Sequence, residues 1–406
     1  MPGGFRAGAA AIGIKASGGP DLGILTTMGG PAAAAATFTQ NRLAAAPVRL
    51  SRANLATSGG RVSAVLSTSG CANAATGPEG ELDQADLAAV VATATGVPVE
   101  ETFAMSTGLI GTRLPVARLR DAIPALVNSG LAATDDALAA LAAQLCTTDS
   151  RQKWATTSVE LPAPGGGTSP VRVSGIAKGV GMIHPQMATM LSIILTDASM
   201  EPATLDALLG PAVRDTWNQV TVDGDTSTND TVLLLASGAA GAAPVDAGSA
   251  AAAALGRAIQ AVARSLARQQ AADGEGATTL ITCEVAGARS DAEARAAARA
   301  VVASSLVKAA VHGHDPNWGR VAAAIGNAEL AGHEVPVDES RLRIALAGVP
   351  VFDGGPLPFE KAAVSAKMDA SEVVITVDLG QGDGWGEAFG CDLTPEYVVE
   401  NSAYST

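Results

Sequence analysis

A lysine, a threonine and three glycines share one short stretch, residues 175–198, which reads GIAKGVGMIHPQMATMLSIILTDA. Its first half is loop-like, with Gly175, Gly179, Gly181, Lys178 and Pro185. Its second half, from 189 to 195, is apolar and β-prone. A constrained loop therefore runs into a buried strand, with Thr189 at the joint. A hydroxyl placed there has a fixed backbone and a scaffold behind it. The ordinary fate of a lone threonine at a strand start is a bond to its own backbone. To attack a carbonyl it needs a base for its proton and donors for the charge that develops.

A second stretch closes an apolar run on a glycine. Residues 103–111 are a short apolar run that ends in Ser106-Thr107-Gly108. Glycine after a strand lets the backbone approach a ligand closely. Taken alone, such a tripeptide is an ordinary turn. Residues 219–231, QVTVDGDTSTNDT, are densely polar. Asp223, Asp225 and Ser227 alternate as in a calcium loop, but the sixth position is Thr228 and the twelfth is Leu234. The glycine and glutamate of an EF-hand are missing. His312, His314 and Asp315 are spaced like metal ligands, yet no third distant cluster accompanies them and His333 stands alone. No metal is expected.

The elements that must hold these residues can be read from periodicity. Residues 13–65 read as short strands broken by turns. A strand over 62–66 delivers the small-residue loop 68–76. A helix is expected over 84–94, with Asp83 or Asp86 as cap. Residues 116–145 read as helix with a break near 128–130. The loop Cys146-Thr147-Thr148-Asp149-Ser150 follows, then a hairpin over 154–176 turning at PAPGGGTSP. Helix is expected over 201–209, ended by Gly210-Pro211, and again over 250–271. A strand spans 276–285, and a helix capped by Ser290 spans 290–311.

The run KGVGMIHPQMATML resembles the self-cleaving segment of the ornithine acetyltransferase family, usually close to KGSGMIxPxMATML. In that family the chain breaks before the threonine matched here by Thr189, so the resemblance implies a scissile bond between Ala188 and Thr189. The new N-terminal threonine then carries a hydroxyl nucleophile and a free amine, with an unperturbed pKa near ~8, that can act as base. The family's STGxIG oxyanion segment is matched by Thr107 and Gly108. Its MTTDT loop places Thr147 against substrate, and Lys178 is a further substrate contact. VDGDTSTNDT and DPNWGR recur. The C-terminal YVxxNxxYxT pattern maps Asn401 and Thr406 onto substrate contacts. The matches run in order from Gly4-Phe5 to Thr406. They imply an α/β fold, a mixed-sheet layered sandwich of the N-terminal-nucleophile-like type. They also imply an α chain of residues 1–188 and a β chain of residues 189–406, assembled as an α2β2 heterotetramer. The implied reaction moves an acetyl group from N-acetylornithine to glutamate through an acyl-threonine, the recycling step of arginine biosynthesis, with no cofactor.

Two departures bear on substrate. Where the family reads GATKLIEV, this sequence reads GATTLITC, which puts Thr282 at the position read as the family's substrate-contacting glutamate. Glu284, two residues on, shares that strand face about 7 Å along. The family's NSGNANA loop is here Thr68-Ser69-Gly70-Cys71-Ala72-Asn73-Ala74. A missing carboxylate at Thr282 predicts poor use of N-acetylornithine and a gain from Thr282→Glu. Three alternatives follow: a paralogue acylating or deacylating a different amine in specialised metabolism, an amidohydrolase or aminopeptidase on the same site, and a non-catalytic binding protein.

Composition sets the outer bounds. The 406 residues are 48% hydrophobic but only 3% aromatic, with 45 glycines and a net charge of −14. That charge argues against nucleic-acid or anionic-membrane surfaces. Cys71, Cys146, Cys283 and Cys391 form no CxxC pair and no disulfide framework, so a reducing, cytoplasmic setting is expected. The N-terminal residues lack the sustained apolar core of a secretion signal. No apolar run approaches the ~20 residues of a membrane span.

Overall fold

Two strands carry the centre of the molecule, and their sequences show why. Leu191–Thr196 (LSIILT) and Thr231–Ala236 (TVLLLA) are buried at every position and pair in parallel. Continuous apolar runs of this kind belong to a sheet covered on both faces. The computed structural model describes residues 1–184 and 190–403. Ala188, Thr189 and Thr406 lie outside the described residues.

These strands sit in the middle of a six-stranded mixed sheet. Its order is Arg61–Val62, Ala32–Phe38, Thr231–Ala236, Leu191–Thr196, Thr168–Lys178, Lys153–Pro162. Strands that precede residue 185 thus flank, on both sides, two strands that follow residue 189. A four-stranded sheet, Phe5–Ala10, Leu22–Thr27, Ala64–Cys71 and Thr102–Leu109, stacks on one face. Phe5, Leu25, Val65, Phe103 and Met105 from it meet Ile176, Ile193, Leu195 and Leu233 from the larger sheet. Helices Gly77–Thr95 and Val116–Ser129 cover the outer face of the smaller sheet through Leu87, Val91, Leu119 and Ile123. Helices Pro202–Asp215 and Ala250–Ala272 cover the outer face of the larger one. In the latter, Leu255, Ile259, Val262 and Leu266 recur at helical spacing and are all buried. The result is helix, sheet, sheet, helix: the expected mixed-sheet layered sandwich.

The C-terminal part adds a five-stranded mixed sheet in the order Val349–Asp353, Arg343–Leu346, Glu372–Asp378, Leu280–Ala288, Gly384–Cys391. Helices Asp291–Ala303, Trp318–Gly326 and Lys361–Met368 pack on it. Among the described residues no helix is long and apolar enough to cross a membrane.

Several expected boundaries move. The helix expected from 84 starts at Gly77, with Pro78 in its first turn. Asp83 and Asp86 are not caps; they bind Arg113 and Arg120. Helix Pro202–Asp215 runs through Gly210-Pro211, because Ala212 and Val213 bury against the core beyond it. That burial outweighs the proline's local cost. Ser290 does cap its helix, accepting from Glu293 N at 3.3 Å, but the helix stops at Ala303. Ser304 then caps a second one, Ser305–His312, by accepting from Val307 N at 3.3 Å. The strand expected over 62–66 extends over Ala64–Cys71, and that expected from 276 begins at Leu280.

Candidate active site

The two stacked sheets end side by side, and a cavity of about 210 Å³ opens there. Strand Thr102–Leu109 of the four-stranded sheet brings Thr107 and Gly108 to its rim. Strand Thr168–Lys178 of the six-stranded sheet brings Lys178. Gly108 has a φ of +123°, and a Cβ there would collide with the Gly70 backbone, so only glycine fits this close approach. The Lys178 ammonium donates to Thr107 Oγ1 at 2.9 Å. Thr107 thus uses its oxygen as acceptor. Its own hydroxyl hydrogen has no acceptor among the described residues and is available to a ligand oxygen in the cavity.

Burial pushes the Lys178 ammonium below its ordinary value, against the attraction of Asp149. The cavity also has acidic lining residues. Glu275 lines the cavity; its Oε1 accepts from Thr148 Oγ1 at 3.2 Å and its Oε2 from Asn401 Nδ2 at 2.9 Å. Asp223, Asp225 and Tyr397 are beside it. Burial pushes the Tyr397 phenol up to about 12, and Asp223, Glu275 and Asp225 add to the rise. The cavity therefore offers Lys178 to an anion or a carbonyl oxygen, and Asp223, Asp225 and Glu275 to an ammonium. A small molecule carrying both charges fits that polarity.

The polar run 219–231 forms the wall below. Asn229 Nδ2 donates to Ala72 O at 2.7 Å and to Ser106 O at 2.9 Å, tying the loop after one strand to the oxyanion strand. Asp223 accepts the N–H groups of Met182 and Ile183 at 2.5 and 2.9 Å. Asp230 Oδ1 accepts the N–H of Met190 at 2.9 Å. Two aspartates of one loop thus hold the backbone on either side of residues 185–189. Burial holds the Asp230 carboxyl well above its ordinary value. Its Oδ2 is buried without a hydrogen-bond partner among the described residues.

Of the residues singled out in the sequence, Thr107, Gly108, Thr147, Lys178 and Asn401 all line this one cavity. Thr282 does not. It is buried in strand Leu280–Ala288, where its hydroxyl donates to Glu372 Oε1 at 2.7 Å and accepts from Arg268 at 3.0 Å. Glu284 does not line the cavity either. A nearby carboxylate that does line the cavity is Glu275, seven residues earlier. The signal was a single acid between two glycines, Gly274-Glu275-Gly276, just upstream of the apolar run. The histidine pair is spent elsewhere: His312 bonds Asp392 at 3.1 Å and His314 faces Asp369 at 3.8 Å. Among the described residues, no group of three or more His, Cys, Asp or Glu could hold a metal ion.

Comparison with known proteins adds to this geometry. A sequence profile described as the ArgJ family matches residues 6–406. The chain belongs to the ArgJ family. Among its relatives is an arginine biosynthesis bifunctional protein ArgJ from Thermus thermophilus, 45% identical over 100% of this chain and 99% of its own. The ArgJ protein of Deinococcus radiodurans is 44% identical over 100% of this chain and 98% of its own. A solved ArgJ chain from Bacillus halodurans is 40% identical with a TM-score of 0.51, covering 53% of this chain and 100% of its own.

Proposed function

We propose that this protein is an ornithine acetyltransferase, moving an acetyl group from N-acetylornithine to glutamate in arginine biosynthesis. The observation that carries the reading is that one cavity is lined both by Lys178, bonded to Thr107, and by Glu275, bonded to Asn401. The names of the ArgJ relatives agree with it. The Thr189 hydroxyl attacks the acetyl carbonyl and passes its proton to the amine of the same residue. The oxyanion that forms takes hydrogen bonds from Thr107 and the backbone at Gly108. The C–N bond breaks, the departing amine takes the proton, and ornithine leaves. The glutamate amine then attacks the ester and restores the hydroxyl. Thr147, Lys178, Asn401 and Thr406 orient the amino acids. Glu275 takes the place first given to Thr282, so the departure at 282 no longer favours a different amine.

In this reading the precursor splits into residues 1–188 and 189–406, which form an α2β2 assembly in the cytoplasm without a cofactor. A solved relative matched along its whole length by 53% of this chain is in keeping with two chains. The test is to incubate the purified protein with N-acetylornithine and glutamate and follow N-acetylglutamate by mass spectrometry. Product that is absent with Thr189→Ala supports the reading. Release of free acetate without acylated glutamate would make the protein a hydrolase instead.

A further inference from the structure

Behind the cavity lies a buried trio of charges. Lys153 is fully buried, with its ammonium 2.5 Å from Asp149 Oδ1 and 2.6 Å from Asp273 Oδ2. The Asp149 side chain is fully buried as well. Its oxygens accept the Gly179 N–H at 2.8 Å and the Thr147 N–H at 3.1 Å. Those amides belong to the two segments that carry Lys178 and Thr147 into the cavity. Asp273 accepts the Ser150 N–H at 3.2 Å and stands two residues before Glu275.

We propose that Asp149 is a positioning residue of the acyl-transfer site, locking the Thr147 loop to the Lys178–Gly179 turn and setting a negative charge beside Lys178. Its catalytic consequence rests on the proposed function; its electrostatics do not. The groups that face Lys178 are Asp149, Lys153, Cys146, Asp230 and, from the N-terminal segment, Lys15. Burial pushes the Cys146 thiol up to about 11, so it is uncharged at neutral pH. Burial also pushes Asp230 toward its neutral acid. Burial would raise Asp149 too, but Lys153 and Lys178 pull it below its ordinary value. Asp149 is therefore the fixed anion of this group. The charge matters because it sets the direction of a proton. An ammonium at Lys178 donates to Thr107 and leaves the Thr107 hydrogen for the cavity. A neutral amine would accept that hydrogen, and the oxyanion site would lose a donor.

Asp149→Asn and Lys153→Met test this by moving Lys178 in opposite directions. Loss of the Asp149 charge lowers the pKa of Lys178, and loss of the Lys153 charge raises it. Competitive labelling of the intact protein with acetic anhydride, read by mass spectrometry on the Lys178 peptide, reports that pKa without any assay of turnover. Asp149→Asn should raise labelling of Lys178 at pH 8 above that of the wild type. Lys153→Met should lower it. The alkaline limb of the kcat profile should move down in the first variant and up in the second. A merely structural Asp149 would lower kcat at every pH and move neither. The proposal is overturned by unchanged Lys178 labelling in Asp149→Asn, or by both variants shifting the same way. In an active enzyme, an unmoved alkaline limb also overturns it. Failure of both variants to fold, read by circular dichroism, would reduce the trio to a structural support and overturn it as well. A wild type without transferase activity would remove the proposed function, and the labelling result would still decide the charge relationship.

Discussion

Lys178 and Thr107 stand on different sheets, and the ammonium of one donates to the hydroxyl of the other at 2.9 Å. The bond joins the two sheets beside the cavity. It occupies the Thr107 oxygen as an acceptor, so the hydroxyl hydrogen is available to a ligand in the cavity. Thr107→Ala should lower kcat by about 10²–10³, the usual cost of one oxyanion donor. Thr107→Ser keeps the hydroxyl and should stay within several-fold of wild type. Steady-state kinetics on processed protein checks both, and a loss of only a few-fold in Thr107→Ala would make the residue structural.

Glu275 should govern substrate affinity. Glu275→Gln keeps the hydrogen bonds to Thr148 and Asn401 available but removes the charge that attracts an ammonium. KM for N-acetylornithine should rise about tenfold or more, with a smaller change in kcat, as expected when a charged binding contact is lost. Equal KM values would deny Glu275 that part.

Thr282→Glu should act on stability rather than specificity. Thr282 is buried beside Glu372, and a second carboxylate there meets a like charge. Destabilisation of about 1–3 kcal/mol is expected, with no gain in use of N-acetylornithine. Thermal melts and kcat/KM on the same sample decide it. A rise in kcat/KM would restore the strand position as a specificity element.

Processing should depend on Thr189 and on the aspartate that holds the segment before it. Wild-type protein should separate on a denaturing gel into fragments 1–188 and 189–406, and Thr189→Ala should run as one band. Asp223→Ala frees the Met182 and Ile183 amides and should slow the split, as followed by intact mass over time. A wild type that stays whole would remove the acyl-threonine route.

Asp230 should give the stability curve a pH slope. Its folded carboxyl holds its proton well above the ordinary value of 3.8, at which the unfolded chain releases it. Below that value both states are protonated and no penalty exists. As pH rises, folding must retain a proton that the unfolded chain has lost, so this contribution falls until the folded pKa is passed. Asparagine at 230 carries no such penalty. The melting temperature of Asp230→Asn relative to wild type should therefore climb as pH rises above about 4. A flat difference across that range would show that Asp230 titrates normally.

The parts of the site legible in the sequence were those whose residue type and local neighbours announce them. Thr107-Gly108 closes an apolar run, Lys178 precedes a glycine-rich loop, and the tail carries a pattern unusual for a free end. Glu275 was missed because the apolar strand after it drew the comparison seven residues too far along, to Thr282. Facing walls of a cavity come from segments distant in sequence, and no local pattern records which of two nearby polar positions points inward. The fold was legible where periodicity was strong, as in the helix Ala250–Ala272. It was misread where burial overrode a local breaker, as at Pro211, or where a serine broke one apparent helix into two, as at Ser304.

The strand order of the larger sheet has a mechanical meaning for a cut between residues 188 and 189. Leu191–Thr196 is hydrogen-bonded to Thr168–Lys178 on one side, and its parallel neighbour Thr231–Ala236 is bonded to Ala32–Phe38 on the other. The two fragments would be interleaved like clasped fingers, each gripping the other from within the sheet. Severing the chain would then release an end without releasing a piece. The fragments would travel together through any native separation, and parting them would require tearing open the middle of the sheet.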